Sequence, residues 1–266
     1  MTLNPFGSNW PILSTFGAGF PSQTYLERVL STRYSNLILG LPLGELIGPN
    51  AVDESSKGSN CTYALAGVTY GEPGIGDGKT SVKFSGADTF VNIDTSINTF
   101  DDDWNGNLFS MISWAKVVDS SIWTDLSTYR WMSHIRAADI TYYATFGHSQ
   151  TNNQLEWRRR TGGAIVSKTY TFAPGGPTDW FCAGMTFNLT GPLLSCYLWS
   201  SLTGFITVGT SNSASLTDWG NHPPQNGLSV LYAGSLTLQE WIGWGQHNYI
   251  WNTELTPAEM QSVMVL

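Results

Sequence analysis

The distribution of apolar and polar residues predicts a protein built mainly of β-strands. Apolar side chains alternate with polar ones at Val82 and Phe84, and the alternation resumes after a Ser-Gly-Ala-Asp break at Val91 and Ile93. A period of two residues is typical of strands with one buried face. The segment before them, residues 71–78, contains four glycines and a proline. Helix and strand interiors do not accept that density, so we expect several tight turns there.

The later part of the chain repeats this strand pattern. Residues 109–117 form the clearest predicted strand, and residues 178–187 are predicted to pair with residues 195–199 in a hairpin. Between them, short apolar runs are separated by Asn-, Thr- and Gly-rich turns, which favours an antiparallel meander. The strands of that meander are predicted at residues 141–146, 154–160 and 164–172.

Two short helices are predicted, one near each end of the chain. Apolar residues recur at helical spacing between positions 26 and 34, with Ser22 as the predicted N-cap. Near the other end, Thr256 is followed directly by Pro257 and, three residues on, by Glu259. This pattern is a capping box with proline at the first helical position, so a helix of about two turns is expected to follow.

Residues 1 to about 24 combine many turn-forming residues with large apolar side chains. A disordered tail is normally poor in such side chains, so we expect this arm to dock on a surface. It either packs back on its own domain or inserts into an identical subunit or a larger assembly. We predict an anchoring arm with its short helix over residues 1–34 and a single domain over residues 35–266. The predicted anchoring residues are Phe6, Trp10, Ile12, Phe16 and Phe20.

Composition and charge exclude several function classes. The 266 residues carry a net charge of −8, which argues against nucleic acid as a partner because phosphate binding needs a basic surface. The densest basic run, residues 158–160, is interpreted as the solvated end of a hairpin rather than as a binding patch. No apolar run approaches the roughly 18 residues of a membrane helix, so no membrane partner is expected.

The cysteine count and the start of the chain bear on the compartment. Three cysteines cannot all pair within one chain, and a secreted disulfide scaffold carries more, so buried free thiols are predicted at Cys61, Cys182 and Cys196. The first residues lack a basic segment followed by an apolar one, as a signal peptide would have. Synthesis in a cytoplasm without export is therefore expected.

Several segments in order along the chain resemble laminin-G-like domains, which are jelly rolls of the concanavalin A type. Residues 53–58 match an Asp-rich D-x-S-x-x-G element, residues 74–78 match the turn that follows it, and residues 84–91 match an F-x-G-x-x-x-x-V strand pair. Trp180 stands at the position of a signature tryptophan. The end of the chain resembles the family's closing motif through Trp251, Asn252, Leu255, Thr256 and Glu259.

The resemblance covers about residues 35 to 266 and departs from the family at Leu41, where a Trp is preferred, and at a missing Asn-Gly turn after residues 195–199. It implies an all-β fold: a two-sheet antiparallel jelly-roll sandwich, with an extended N-terminal arm and a short C-terminal helix. It also implies that Glu45 is a structural hydrogen-bonding carboxylate, unless it is an ordinary surface residue.

The sequence does not predict an enzyme. Retaining glucanases of this fold carry a Glu-x-Asp-x-x-Glu run on one strand, where alternation places the carboxylates on one face. The strands that would carry such a run hold only Glu156. The G-x-S-x-G and H-E-x-x-H motifs are also missing. The histidines at positions 134, 148, 222 and 247 share no metal-ligand spacing, so each is interpreted as structural.

Two kinds of binding residue are candidates. Aromatic rings crowd among polar residues at Trp123, Tyr129, Trp131 and, in a long loop, Trp219. If these rings are exposed, they form a platform on which sugar rings stack; the alternative is that they pack between the sheets. Three adjacent acids at residues 101–103 suggest a calcium site that includes Asp101 and Asp103; the alternative is a solvated acidic loop. Separately, Asp53 stands at the Asp position of the family motif, and the resemblance implies a structural calcium there. No other cofactor is expected.

Two functions remain. One is a non-enzymatic protein of a phage virion surface, either a head decoration, a fibre or a tail adhesin, that binds a cell-surface glycan. Its arm would contact identical subunits or other virion proteins. The alternative is a carbohydrate-binding lectin module of a bacterial cell-surface or secreted protein.

Overall fold

The structure is mostly β, as the sequence predicts. The computed structural model of the protein describes residues 23–63, 66–86, 89, 91–92, 103–104, 106–137, 141–173, 175–191, 193–212, 216, 218–219, 224–225 and 241–266. Two α-helices, α1 (Tyr25–Ser31) and α2 (Pro257–Met264), lie near the two ends of this described part, and short 3-10 helices span Tyr34–Asn36 and Ser120–Thr124. The strands are β1 (Leu37–Leu41), β2 (Asn50–Ala51), β3 (Cys61–Tyr63), β4 (Val68–Pro73), β5 (Thr80–Ser85), β6 (Val91–Asn92), β7 (Leu108–Val117), β8 (Arg130–Ala137), β9 (Tyr143–His148), β10 (Gln154–Thr161), β11 (Ala164–Thr171), β12 (Phe181–Asn188), β13 (Leu193–Ser200), β14 (Gly204–Asn212), β15 (Pro224–Gln225) and β16 (Ile242–Trp251).

Two antiparallel sheets form a sandwich. The larger sheet has the strand order β14-β13-β12-β7-β16-β5-β4, and β1 also pairs with β16. The second sheet has five strands in the order β11-β10-β9-β8-β15, and a small third sheet joins β2, β3 and β6. The predicted meander and the predicted hairpin of residues 178–187 with residues 195–199 are both present, as β9 to β11 and as β12 with β13.

The main core lies between the two large sheets. Phe109 and Met185 contribute to it from the larger sheet, and Phe146 and Trp157 from the five-stranded one. All four side chains are fully buried. Burying side chains of this size stabilises the fold by about 1.5–3 kcal/mol each, before ordering entropy is subtracted.

A second apolar cluster covers the other face of the larger sheet. The helices α1 and α2 pack there. The Tyr25 hydroxyl links the helices to the sheet: it accepts a hydrogen bond from the Trp114 indole at 2.7 Å and donates one to the Val263 carbonyl at 2.7 Å. Trp114 is buried beneath these helices rather than between the two large sheets. Strand alternation shows which residues share a face of the sheet, but not which layer covers that face.

The helix caps follow the predicted chemistry with one change. Thr256 and Glu259 form the expected capping box at α2, with proline at its start. At α1 the cap is Thr24, which forms a second capping box with Glu27. The predicted cap Ser22 lies outside the described residues. Among those residues, no helix combines the length and the apolar character needed to cross a membrane.

Candidate functional site

The four aromatic residues predicted to form a sugar platform do not share one exposed surface. Trp123, Trp131 and Trp219 are only 1%, 3% and 2% exposed, whereas Tyr129 is partly exposed. Of the two alternatives, exposure is therefore wrong for the three tryptophans. The alternative, packing within the protein, describes Trp123 and Trp219, both of which belong to the main core.

Trp219 is held in that core by a buried arginine and a glycine. Its backbone N–H donates to Asn107 Oδ1 at 2.8 Å, and a Cβ on Gly106 would lie 2.3 Å from the Trp219 ring. Arg159 lies 5.8 Å from the same ring and 3.8 Å from the Phe187 ring, and it donates to the Gly106 carbonyl at 2.6 Å. Burial lowers the pKa of Arg159 to about 9, although the carboxylate of Asp218 opposes that effect.

The basic run at residues 158–160 is therefore not the solvated end of a hairpin. Strand alternation along β10 divides it between two faces: Arg159 pairs with Ala144 and Val166 on the side of the main core, and Arg158 pairs with Thr145 and Ser167 on the opposite side. A charged side chain inside the core needs partners to offset its lost hydration. The carbonyl of Gly106 and the neighbouring aromatic rings are those partners.

The face of the five-stranded sheet away from the core carries a separate cluster of aromatic and charged side chains. Cross-strand neighbours lie on one face of a sheet, so the register identifies its members. One row runs across β8, β9 and β10 through Trp131, Gly147 and Glu156, and the next row runs through His134, Thr145 and Arg158.

Tyr129 stacks on Trp131 at the end of β8. The two ring centroids are 4.9 Å apart and the rings are inclined by only 7°. The guanidinium of Arg158 lies 4.5 Å from the Tyr129 centroid and 5.7 Å from the Trp131 centroid. A guanidinium stacked on the face of Tyr129 that points away from Trp131 would have the Tyr129 ring between it and Trp131. It would then lie much farther from the Trp131 centroid than from the Tyr129 centroid. Arg158 therefore lies beside the pair, and none of the described residues stacks on the second face of Tyr129.

Hydrogen bonds fix this arrangement, which we call the Tyr129 platform (Tyr129, Trp131, Glu156 and Arg158). Arg158 donates from Nε to Glu156 Oε1 at 2.6 Å and from a terminal nitrogen to the Tyr129 hydroxyl at 2.7 Å. Burial lowers the pKa of Arg158, but the hydrogen bonds and charge interactions with Glu156 and Tyr129 together outweigh burial and leave the pKa above its ordinary value. Arg158 thus stays cationic, and the platform presents one aromatic face beside an ion pair. Glu156 and Arg158 are two positions apart on one strand, and that spacing is the sequence signal that we missed.

His134 occupies the same face in an unusual state. It is buried, and no described residue forms a hydrogen bond with either ring nitrogen. Burial lowers the pKa of His134 to about 3, and the neighbouring charge of Arg136 acts in the same direction. The imidazole is therefore neutral at physiological pH.

The calcium candidates have other partners. Asp53 is buried, and its carboxylate accepts four hydrogen bonds, from the backbone N–H groups of Gly40, Ser55 and Ser59 and from the Ser55 hydroxyl, at distances of 2.6–2.9 Å. Asp103 forms an ion pair with Lys57 at 2.7 Å, and Asp101 lies outside the described residues. Within the described ranges, no three His, Cys, Asp or Glu side chains converge as metal ligands would.

Three further predictions can be placed. Glu45 accepts from the Val52 N–H at 2.8 Å and from the Tyr63 hydroxyl, so its predicted structural role is confirmed. All three cysteines are buried thiols outside any disulfide, as predicted. The anchoring residues of the arm, from Phe6 to Phe20, lie outside the described residues.

A buried histidine network adjoins the glycine-rich turn. His247 Nε2 lies 2.6 Å from Asp77 Oδ2, and His247 Nδ1 lies 2.9 Å from the Tyr249 hydroxyl. Burial lowers the pKa of His247 even though Asp77 opposes that effect. A histidine beside a carboxylate resembles catalytic arrangements, but this ring has no exposed surface. It holds residues 71–78 against β16, which is a structural role.

A cavity of about 610 Å³ opens at the end of the five-stranded sheet beside the 3-10 helix Ser120–Thr124. Three separate segments line it: residues 119–121 with Trp123 and Thr124, Asn153, and the pair Gly175 and Gly176. Trp123 forms part of its wall although almost none of the ring is exposed.

No protein-family model matches this sequence, and no curated protein sequence matches it either. Solved structures of similar fold are β-sandwich domains of carbohydrate-binding and lectin-like proteins. Domain 4 of AbnA, a GH43 extracellular arabinanase from Geobacillus stearothermophilus solved with arabinotriose, is 11% identical, with a TM-score of 0.54 over 86% of this chain and 98% of that one.

Two further structures show the same fold. The CBM40 of the Ruminococcus gnavus IT-sialidase, solved with α2,3-sialyllactose, is 7% identical, with a TM-score of 0.52 over 71% of this chain and 97% of that one. A botulinum neurotoxin type C structure, from a toxin whose uptake by cells depends on two ganglioside molecules, is 16% identical, with a TM-score of 0.54 over 87% of this chain. This chain spans only 51% of that toxin chain. At such identities the likeness shows the fold alone.

Proposed function

We propose that this protein binds glycans without catalysing a reaction, and that the Tyr129 platform contacts the sugar. The observation that carries the proposal is the partly exposed Tyr129 ring, fixed on one side by Trp131 and free of any described stacking partner on the other. The apolar face of a sugar ring packs on such a surface. The neighbouring Glu156 and Arg158 offer acceptors and donors to sugar hydroxyls.

The similar structures support this proposal. The solved complexes contain arabinotriose in one case and sialyllactose in another, and the toxin interacts with gangliosides. All three ligands contain sugars, although the sugars differ. We also infer that the sandwich belongs to the laminin-G-like, concanavalin A-type jelly rolls, which is supported by the motifs between residues 53 and 91 and at Trp251 to Glu259.

A binding assay with variants of Tyr129 tests the platform. On an array of neutral and acidic glycans, Tyr129→Ala is expected to weaken binding about tenfold, since it removes both the stacking surface and the bond to Arg158. Tyr129→Phe keeps the ring and should retain most of the affinity. Tyr34→Ala is the matched control because Tyr34 is an exposed tyrosine (44%) on another part of the chain. Wild-type affinity in a folded Tyr129→Ala variant would refute the assignment.

The setting that we propose is a phage virion surface, with residues 1 to about 24 as the anchoring segment and the sandwich, on which α1 packs, as the outward domain. The low charge and the apolar arm support this setting, whereas a lectin module of a bacterial surface protein is the alternative. Electron microscopy of labelled protein with its source particle distinguishes them. Label on the particle supports the virion setting, and label on the bacterial surface alone would overturn it.

A further inference from the structure

The cavity beside Trp123 is organised by that one side chain. The backbone carbonyl of Trp123 accepts hydrogen bonds from the Asn153 N–H at 2.7 Å and from His148 Nε2 at 3.3 Å. The indole N–H of Trp123 donates a hydrogen bond to the Pro177 carbonyl at 2.8 Å. A Cβ on Gly176 would lie 2.1 Å from the indole, so the chain at that point packs directly on the ring. Trp123 thereby fixes the three segments of the wall relative to one another.

Asn153 lines this cavity, and its backbone adopts an unusual conformation. Its φ of 55° lies in the left-handed region, which costs a non-glycine residue free energy and persists only where the surroundings impose it. The bond to Trp123 and a second one from the Phe172 N–H to the Asn153 carbonyl, at 2.8 Å, impose it here. The side-chain amide itself has no hydrogen-bond partner among the described residues.

Among the described residues that line the cavity, Asp119 alone is ionisable. The Ser121 hydroxyl and backbone N–H stabilise the Asp119 carboxylate, and the bonds lower its pKa. Together with the amide of Asn153 and the hydroxyl of Ser120, it offers donors and acceptors suited to ligand hydroxyls. None of the described residues that line the cavity is a lysine or arginine, and the carboxylate repels anions. A volume of about 610 Å³ is within the range of small-molecule sites.

We propose that this cavity is a second carbohydrate subsite, separate from the Tyr129 platform, and that it takes one uncharged sugar residue. This inference rests on the proposed glycan-binding function and deepens it. Neutral hydroxyl-rich rings fit the wall, whereas sialic acids, sulfated sugars and phosphates do not. The three-segment wall is held in place before the ligand arrives, so little ordering cost is expected on binding.

Ligand-observed NMR on the full-length protein tests the subsite. The probes are the methyl glycosides of glucose, galactose, mannose and arabinose, with N-acetylneuraminic acid as the acidic comparison. We expect at least one neutral glycoside to bind and the acidic sugar not to compete with it. Gly175→Leu should weaken that binding at least about tenfold, because a Cβ at Gly175 meets nothing within 4 Å and a larger side chain has room to fill the cavity.

Gly163→Leu is the matched control. Gly163 also has nothing within 4 Å of its Cβ and also lacks a positive φ, but it lies in the turn between β10 and β11. A second variant, Asn153→Gly, removes the amide and suits the left-handed backbone, so it should stay folded and weaken binding severalfold. If no neutral glycoside binds, or if both variants retain full binding, the subsite is refuted.

The outcomes separate this inference from the proposed platform. Array binding that is lost in Tyr129→Ala, with glycoside binding unchanged in Gly175→Leu and Asn153→Gly, supports the platform and overturns the subsite. Glycoside binding that is lost in Gly175→Leu and Asn153→Gly, with array binding unchanged in Tyr129→Ala, supports the subsite and overturns the platform. Loss of array binding in Tyr129→Ala together with loss of glycoside binding in Gly175→Leu and Asn153→Gly, with Tyr34→Ala and Gly163→Leu unchanged, supports both.

Discussion

The carboxylate of Asp53 is expected to hold its loop by hydrogen bonds rather than by a metal. Its two oxygens accept four hydrogen bonds, from the backbone N–H groups of Gly40 and Ser55, from the Ser55 hydroxyl and, at 2.6 Å, from the backbone N–H of Ser59. Asp53→Asn keeps the size of the side chain but replaces one acceptor oxygen with an amide donor. The substitution therefore removes acceptors without creating a cavity.

The cost follows from the bonds that the amide cannot make. If the amide nitrogen replaces Oδ2, the bonds from the Ser55 hydroxyl at 2.7 Å and from the Ser59 N–H are lost. The hydroxyl can rotate and accept instead, but the N–H of buried Ser59 has no such choice. An unsatisfied buried donor costs about 1–3 kcal/mol, and the lost bonds to a charged group bring the total to about 2–4 kcal/mol.

Thermal unfolding measures this cost. We expect Asp53→Asn to lower Tm by about 4–16 °C, given about 2–4 °C per kcal/mol for a chain of this size class. Asp179→Asn is the control, because Asp179 is exposed and accepts one local bond from the Trp180 N–H at 2.8 Å. A chelator should leave the wild-type Tm unchanged. If chelation lowers Tm, calcium restores it and Asp53→Asn abolishes that response, then Asp53 is a metal ligand and the hydrogen-bond argument is wrong.

Two further predictions concern the five-stranded sheet and the Trp123 cavity. His134 binds a proton near pH 6.5 when unfolded but only near pH 3 when folded, so stability should be lost as pH falls below about 6.5, by up to about 1.4 kcal/mol per pH unit. Urea unfolding at pH 7 and pH 5 should show this loss in the wild type and a smaller one in His134→Phe; equal losses would contradict it. Gly176→Ala should destabilise the fold by about 1–3 kcal/mol or more, because its Cβ would lie 2.1 Å from the Trp123 ring. Gly163→Ala, whose Cβ meets nothing within 4 Å, should change stability by less than about 0.5 kcal/mol, and similar values for both variants would refute the packing argument.

Local patterns explain which parts of the fold were predictable. The hairpin of β12 with β13 and the capping box at Thr256 depend on residues close together in sequence, so they can be predicted from it. The position of Trp114 depends on α1 and α2, which cover the larger sheet from two distant parts of the chain. Alternation along β7 shows that Trp114 lies on the opposite face of the sheet from the residues next to it in sequence. It does not show which layer covers that face.

The same limit explains why the aromatic residues misled the sequence analysis. Rings crowded among polar residues between positions 123 and 131 favour an exposed platform if one core is assumed, and 12 tryptophans supply more rings than that core alone would use. This protein has two apolar layers, however, and both contain tryptophans: Trp157 and Trp219 lie in the main core, and Trp114 and Trp251 beneath the helices. An aromatic count therefore does not indicate a sugar site here. The more specific signal is a ring on the face away from both layers, beside an acid and a base two residues apart on one strand, and Tyr129 has those neighbours in Glu156 and Arg158.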